Sequence, residues 1–363
     1  MYTRLLLGTV LFLSLATQVW AKETKDWTIY IHMNADNSLC YFAPKDLAEI
    51  KSVDISANAY IIVSFDCSEN GDSRIFEIQG NKEIDITKDI LKTDGPYEFD
   101  MGDYKFFEKT AMLVFEKYPS EKRFIDIWNH GGGWRLLPLA DIRDVSYDDE
   151  SGTHITTPQL GVAMKNISEK YSIDILGFDA CLMQMVEVSY EVADYTKYVL
   201  ASEESEPGDG WDYKGLGVLS KSNVAPEEIG VSMVNSYMDF YKEGTKKQSV
   251  TMSFVSTLGI KELVLGLRNL VPELEKMTGL YNIIDAVPGY NGSFKDLGLF
   301  LCKLKSKLAE SLKQLYKDAV YYNKSTEPGT GISIYLTTYP DEKYKTLKFD
   351  KDTGWFDMLQ NIK

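Results

Sequence analysis

RFIDIWNHGGGW (residues 123–134) and IDILGFDACLM (residues 173–183) decide the fold. Each begins as a run of apolar residues, at 123–128 and 173–178, and each then meets polar or small residues. Near-continuous apolar strands are buried on both faces, which marks a mainly parallel sheet covered by helices. Between them, residues 157–170 carry helical spacing, with Pro158 where a first turn tolerates it. A right-handed strand–helix–strand crossover makes the two strands parallel and brings their carboxyl ends to one sheet edge. Ligands of open α/β sheets bind at that edge. His130 follows the first strand and Cys181 follows the second, 51 positions later.

The pattern continues outward in both directions. Strands are expected at 27–33, 59–65 and 198–202, with a hairpin at 73–79 and 83–86. Helices are expected at 44–51, 102–118, 182–194 and 226–242. Beyond a strand at 249–256, long amphipathic helices are expected at 260–277 and 297–322, and a last strand at 331–337 that returns to the main sheet. The fold class is therefore an α/β/α sandwich with a mainly parallel central sheet and a helical C-terminal region. Its expected divisions are 22–256 for the main α/β part and 257–363 for the helical part.

Of 363 residues, 44% are hydrophobic, ample for a large core. A net charge of −15 excludes a nucleic-acid binder, which needs a basic face. It suits solubility, and also a protein that receives cationic ligands. At the N-terminus, Arg4, an apolar run at 5–16 and Val19-Trp20-Ala21 read as a signal peptide ending at residue 21. The expectation is export to the periplasm, the cell surface or the medium, without stable membrane insertion. Of four cysteines, Cys40 and Cys67 each follow a strand end and could meet in a disulfide, whereas Cys181 must be free to act.

The three histidines, His32, His130 and His154, lie in no HExxH arrangement, and neither a CxxC pair nor a GxSxG elbow is present. Metal hydrolysis and serine hydrolysis are both poorly supported, and no metal is assigned. His130 precedes three glycines, which leave room for a ligand backbone. Cys181, read as opening a helix, would gain thiolate character from the helix dipole. A structural histidine and an inert buried cysteine are the ordinary readings of such residues singly. Their pairing on adjacent strands favours a nucleophile with its general acid/base.

An apolar block ending in His-Gly, followed by one ending in Ala-Cys, resembles the signature shared by caspases, legumains, gingipains and clostripain. The chain is more similar to the clostripain-like C11 family of bacterial peptidases. The shared features are Asn34-Ala35-Asp36-Asn37, WNHGGGW (128–134), FDACLM (178–183), SEESEPGDGWDY (202–213) and GISIYL (331–336). Asn129 stands where such enzymes often have Asp. The resemblance implies a caspase-like fold and a secreted cysteine endopeptidase using a Cys181/His130 dyad, with no third catalytic side chain. The oxyanion would be held by backbone N–H groups of Cys181 and Gly131. It also implies cleavage after Arg or Lys in protein or peptide substrates, by a monomer.

Asp179, two positions before the nucleophile, is the expected partner for a basic side chain, though it could instead cap a helix. Asp209, in the loop 207–211, is a second candidate. Relatives are made as zymogens that cleave themselves between the two motifs, and Arg143 is the best-placed basic residue there. No cofactor is required; the acidic run 148–152 could bind Ca²⁺, which stimulates some relatives, but it lacks the spacing of an EF-hand loop. The alternatives are a legumain-like peptidase acting after Asn, and an inactive exported binding protein.

Overall fold

Along β1 (Lys25–Asn34), Trp27, Ile29, Ile31 and Met33 join one layer of core, while Tyr30 joins the layer on the opposite face. The same alternation divides β2 (Ala59–Asp66), where Ile61, Val63 and Phe65 face the first layer and Tyr60 and Ile62 the second. Period-two segregation with both faces buried is what a central strand requires. In this computed structural model the described residues are 22–68, 71–134, 144–242, 247–326 and 328–362. The expected signal peptide at 1–21 and Arg143 lie outside them.

The remaining strands are β3 (Arg74–Gln79), β4 (Lys82–Asp85), β5 (Ser120–Trp128), β6 (Val145–Asp148), β7 (Thr153–Ile155), β8 (Ile173–Asp179), β9 (Thr196–Ala201), β10 (Thr251–Ser256), β11 (Phe294–Asp296), β12 (Val320–Ser325) and β13 (Ser333–Tyr335). The main sheet has the order β12-β10-β9-β8-β5-β1-β2-β3-β4. Its centre, from β9 to β2, is entirely parallel, and antiparallel pairings appear only toward the two edges. One face is covered by helices Ala43–Ser52 and Pro226–Lys242, the other by Tyr104–Lys117, Thr157–Ser168 and Thr257–Leu274. The mainly parallel α/β/α sandwich expected from the sequence is present. The crossover helix Thr157–Ser168 opens on a capping box, Thr156 with Gln159, and carries Pro158 in its first turn.

Three expected elements differ. Residues 182–194 do not form one helix from Cys181 onward. Leu182 is left-handed (φ 64°), and its N–H and that of Gln184 bond to the carbonyls of Glu204 and Ser202, so the helix starts only at Val186 and ends at Glu191. The expected helix 297–322 is two helices, Leu297–Lys303 and Lys307–Ala319, because Leu304 turns extended and the Ser306 side chain caps a new start. Its last residues leave helical geometry as β12 and pair antiparallel with β10. That strand, not the segment 331–337, joins the main sheet. β13 instead pairs with β11 and touches Met185. It also buttresses the segment behind Cys181: Glu187, fully buried, accepts from Tyr335 N and from the Tyr344 hydroxyl.

Candidate active site

β5 and β8 are parallel neighbours, and Trp128 stands opposite Asp179 in their register. His130 and Cys181 each lie two residues beyond that pair, so equal offsets from one register position deliver both to the same edge. Asn129 N donates to Asp179 O at 3.2 Å, extending the pairing one step past the strands. Both residues line a cavity of about 300 Å³, together with Leu39, Asp179 and Glu206. His32, by contrast, is a core residue, fully buried with Nε2 2.9 Å from Met101 O and its pKa lowered to about 4 by burial. It takes no part in the cavity.

Gly131 sits against Cys181. A Cβ there would lie 2.4 Å from Cys181 O and 3.0 Å from both Cys181 N and Ala180 Cβ, so no side chain fits. The Cys181 sulfur accepts from Glu206 N at 3.2 Å, and the backbone N–H groups of Cys181 and Gly131 also favour its thiolate form. Burial outweighs these donors and pushes the thiol above its ordinary value. The helix-dipole activation expected at Cys181 is therefore absent: the nearest helix begins at Val186, and the sulfur depends on individual N–H groups. Burial also lowers the His130 pKa. Both shifts favour the neutral forms, thiol and imidazole.

Asn129, in place of the Asp common at that position, has a role that Asp could not fill. Its Nδ2 donates to the carbonyls of Asn34 and Tyr147, and its Oδ1 accepts from Tyr147 N. A carboxylate accepts only. Asn37 Nδ2 donates to the same Tyr147 carbonyl, so the Asn34–Asn37 turn and the segment after Asp144 are joined beside the cavity.

Asp179 is 4% exposed and lies on the cavity wall. Its Oδ2 accepts from Trp211 N (3.1 Å) and from the Tyr213 hydroxyl (3.0 Å). Three further carboxyls converge on it. Asp126 shares the Tyr213 hydroxyl (2.7 Å), Asp46 accepts from Trp128 Nε1 (2.7 Å), and Glu206 hydrogen-bonds Asp179 directly. Gly210 (φ 58°) closes the ring: a Cβ there would meet both Asp179 oxygens at 3.1 Å and Asp46 Oδ2 at 3.2 Å. Burial, reinforced by the charge on Asp179, raises Asp46 to about 9, Asp126 to about 8 and Glu206 well above its ordinary value. Asp179 itself, raised by burial to about 6, is held lowest by its three donors. Burial thus raises all four carboxyls, and the donors to Asp179 oppose that rise at the residue facing the cavity. Indole and phenol donors hold these carboxyls; among the described residues none of the four pairs with a lysine or arginine.

Asp209 lies in the loop whose residues Pro207, Gly208 and Gly210 line the cavity. It ion-pairs with Lys45 at 3.1 Å and does not line the cavity. The acidic run 148–152 is organised by main chain: Asp148 accepts from Met101 N and Ser151 N, and Asp36 accepts from Glu150 N. Among the described residues no group of three or more His, Cys, Asp or Glu side chains is arranged to hold a metal ion. Sequence reading missed Ser38, Asp46, Asp126, Glu206 and Tyr213. A carboxylate inside the apolar run FIDIW, and one beside Leu47 on the buried face of a helix, were the available signals.

Residues 31–359 match the family model described as the clostripain family. Clostripain from Hathewaya histolytica is 29% identical over 199 residues, which are 48% of this chain and 38% of that protein. The match thus spans well under half of the curated relative's length. A secreted C11 cysteine protease from Bacteroides thetaiotaomicron, solved with an irreversible peptide inhibitor, matches with a TM-score of 0.72 and 20% identity over 92% of this chain and 99% of that one. An inactive zymogen C11 protease from Parabacteroides distasonis matches with a TM-score of 0.70 and 20% identity, again over 92% and 99%. At these identities the structural likeness establishes the fold.

Proposed function

Because the chain belongs to the clostripain family, we propose that it is an exported cysteine endopeptidase that cleaves after Arg or Lys with Cys181 and His130 as its dyad. The observation that carries this reading is the cavity at the strand ends, where a thiol, an imidazole and a buried carboxylate face one space. The substrate's basic side chain enters beside Asp179 and supplies the positive charge that the carboxyl ring lacks. His130 takes the Cys181 proton as sulfur attacks the scissile carbonyl, and the N–H groups of Gly131 and Cys181 receive the oxyanion. His130 then protonates the leaving amine, and water hydrolyses the acyl-enzyme with His130 again as base.

The rest of the reading follows from the same family membership. The chain is a monomer made as a zymogen, with residues 22–256 as its catalytic part, and cuts itself at Arg143. No helix among the described residues is long and apolar enough to cross a membrane, which fits release after removal of residues 1–21. The test is a fluorogenic panel with Arg, Lys, Asn and Asp before the scissile bond. Arg and Lys peptides are expected to turn over, and Asp179→Ala to lower kcat/KM for them on the order of a hundredfold, as loss of one partner of a buried charge pair does. Unchanged Arg hydrolysis in that variant refutes the pocket, and turnover of the Asn peptide alone refutes the specificity. Mass spectrometry should find two chains in the wild type and one in Cys181→Ala.

A further inference from the structure

The turn after β1 reaches the catalytic histidine. Ser38 Oγ lies 2.8 Å from His130 Nε2, the one side-chain hydrogen bond to that ring among the described residues. Among the described residues no carboxylate bonds to that ring, and burial is the cause of the shift at His130. We propose that Ser38 is a positioning residue for His130, and that the Cys40–Cys67 disulfide holds it in place. The inference rests on the Cys181/His130 dyad proposed above.

The chemistry follows from the two ring nitrogens. With Nε2 engaged by Ser38, Nδ1 is the nitrogen left to exchange a proton with Cys181. To accept that proton, neutral His130 must carry its hydrogen on Nε2, and Nε2–H then donates to Ser38 Oγ. After proton transfer the imidazolium makes the same bond. Ser38 therefore selects the productive tautomer and fixes the ring plane without gaining or losing a proton.

Ser38 is exposed and sits in a short turn, so its position depends on the residues that flank it. The turn has two anchors. Asn37, immediately before it, accepts from Leu39 N at 2.9 Å and donates to Tyr147 O at 2.8 Å. Cys40, two residues after it, is bonded to Cys67, with Cα atoms 5.4 Å apart. Cys67 directly follows β2, is 7% exposed, and has its own N–H fixed by Asp72 at 3.1 Å. The disulfide thus ties the turn to the end of a central strand, and Leu39, between the anchors, lines the cavity. An even pair of cysteines in an exported chain serves here as a brace for the active site.

Kinetics on an Arg fluorogenic peptide, normalised to thiol-titrated Cys181, test the idea. Ser38→Ala should lower kcat about three- to tenfold with KM unchanged, the scale of one hydrogen bond. Ser38→Thr, which restores the hydroxyl at an exposed site, should recover most of the loss. In a Cys40→Ala/Cys67→Ala background, Ser38→Ala should cost less than twofold, since the hydroxyl is no longer held. Wild-type kcat in Ser38→Ala, or failure of Thr to rescue, overturns the positioning role. An undiminished Ser38→Ala loss without the disulfide overturns the bracing. Should the double cysteine variant not fold, the Ala/Thr comparison still decides the positioning role. Activity surviving in His130→Ala would instead remove the dyad itself.

Discussion

Replacing Gly131 by alanine adds one methyl group where the segment after β5 lies against the segment after β8. Its Cβ would stand 2.4 Å from Cys181 O and 3.0 Å from Cys181 N and Ala180 Cβ. Ordinary carbon–oxygen contacts begin near 3.3 Å, so the segments must separate by roughly 1 Å. Gly131 is not among the positive-φ glycines, so alanine is allowed on its own backbone and the effect is purely steric. That separation moves both proposed oxyanion donors, and a shift of about 1 Å at such a site costs on the order of 10²-fold in rate. Overpacking should lower stability by about 1–3 kcal/mol without changing the fold. The assay is kcat and KM on an Arg peptide, per titrated thiol, alongside urea unfolding. Gly217→Ala is the control, since its Cβ would make only an ordinary 3.8 Å contact with Val53. The expected result is kcat lower by about a hundredfold with KM little altered, and a control near wild type. If Gly131→Ala keeps kcat within about threefold, the placement of Gly131 as an oxyanion donor is wrong.

Three further outcomes are expected. Asp179, raised by burial to about 6, must be ionised to hold a basic side chain, so KM for an Arg peptide should fall as pH rises from 5 to 7.5 and Asp179→Asn should flatten the profile. For stability the sign is opposite: folded-state values above the ordinary carboxyl range mean that the native chain holds protons the unfolded chain has lost. The contribution of Asp126, raised to about 8, is thus complete below pH 4 and is lost as pH climbs toward 8, and Asp126→Asn should lessen the fall in melting temperature across that window. Removing the disulfide that closes a 27-residue separation should lower unfolding free energy by about 3–4 kcal/mol, read from the urea midpoint of Cys40→Ala/Cys67→Ala.

The strands around His130 and Cys181 were legible in the sequence because burial on both faces leaves an unbroken apolar record, and the crossover rule then fixes which ends meet. Residues 123–134 and 173–183 therefore determined the parallel core and the pairing of thiol with imidazole. The helix expected directly after Cys181 was not legible: Leu182, Met183, Gln184 and Met185 suit a helix, but the N–H groups of Leu182 and Gln184 bond to Glu204 and Ser202, which are distant in sequence. The ring of Asp46, Asp126 and Glu206 around Asp179 has the same origin. Each residue comes from a different element, and only packing brings the four carboxyls together and raises their pKa values by burial. Ser38 belongs to this group too, since its contact with His130 spans 92 positions. Local spacing records what one segment must bury. Hydrogen bonds and charges between segments are decided only when the tertiary structure sets their distances.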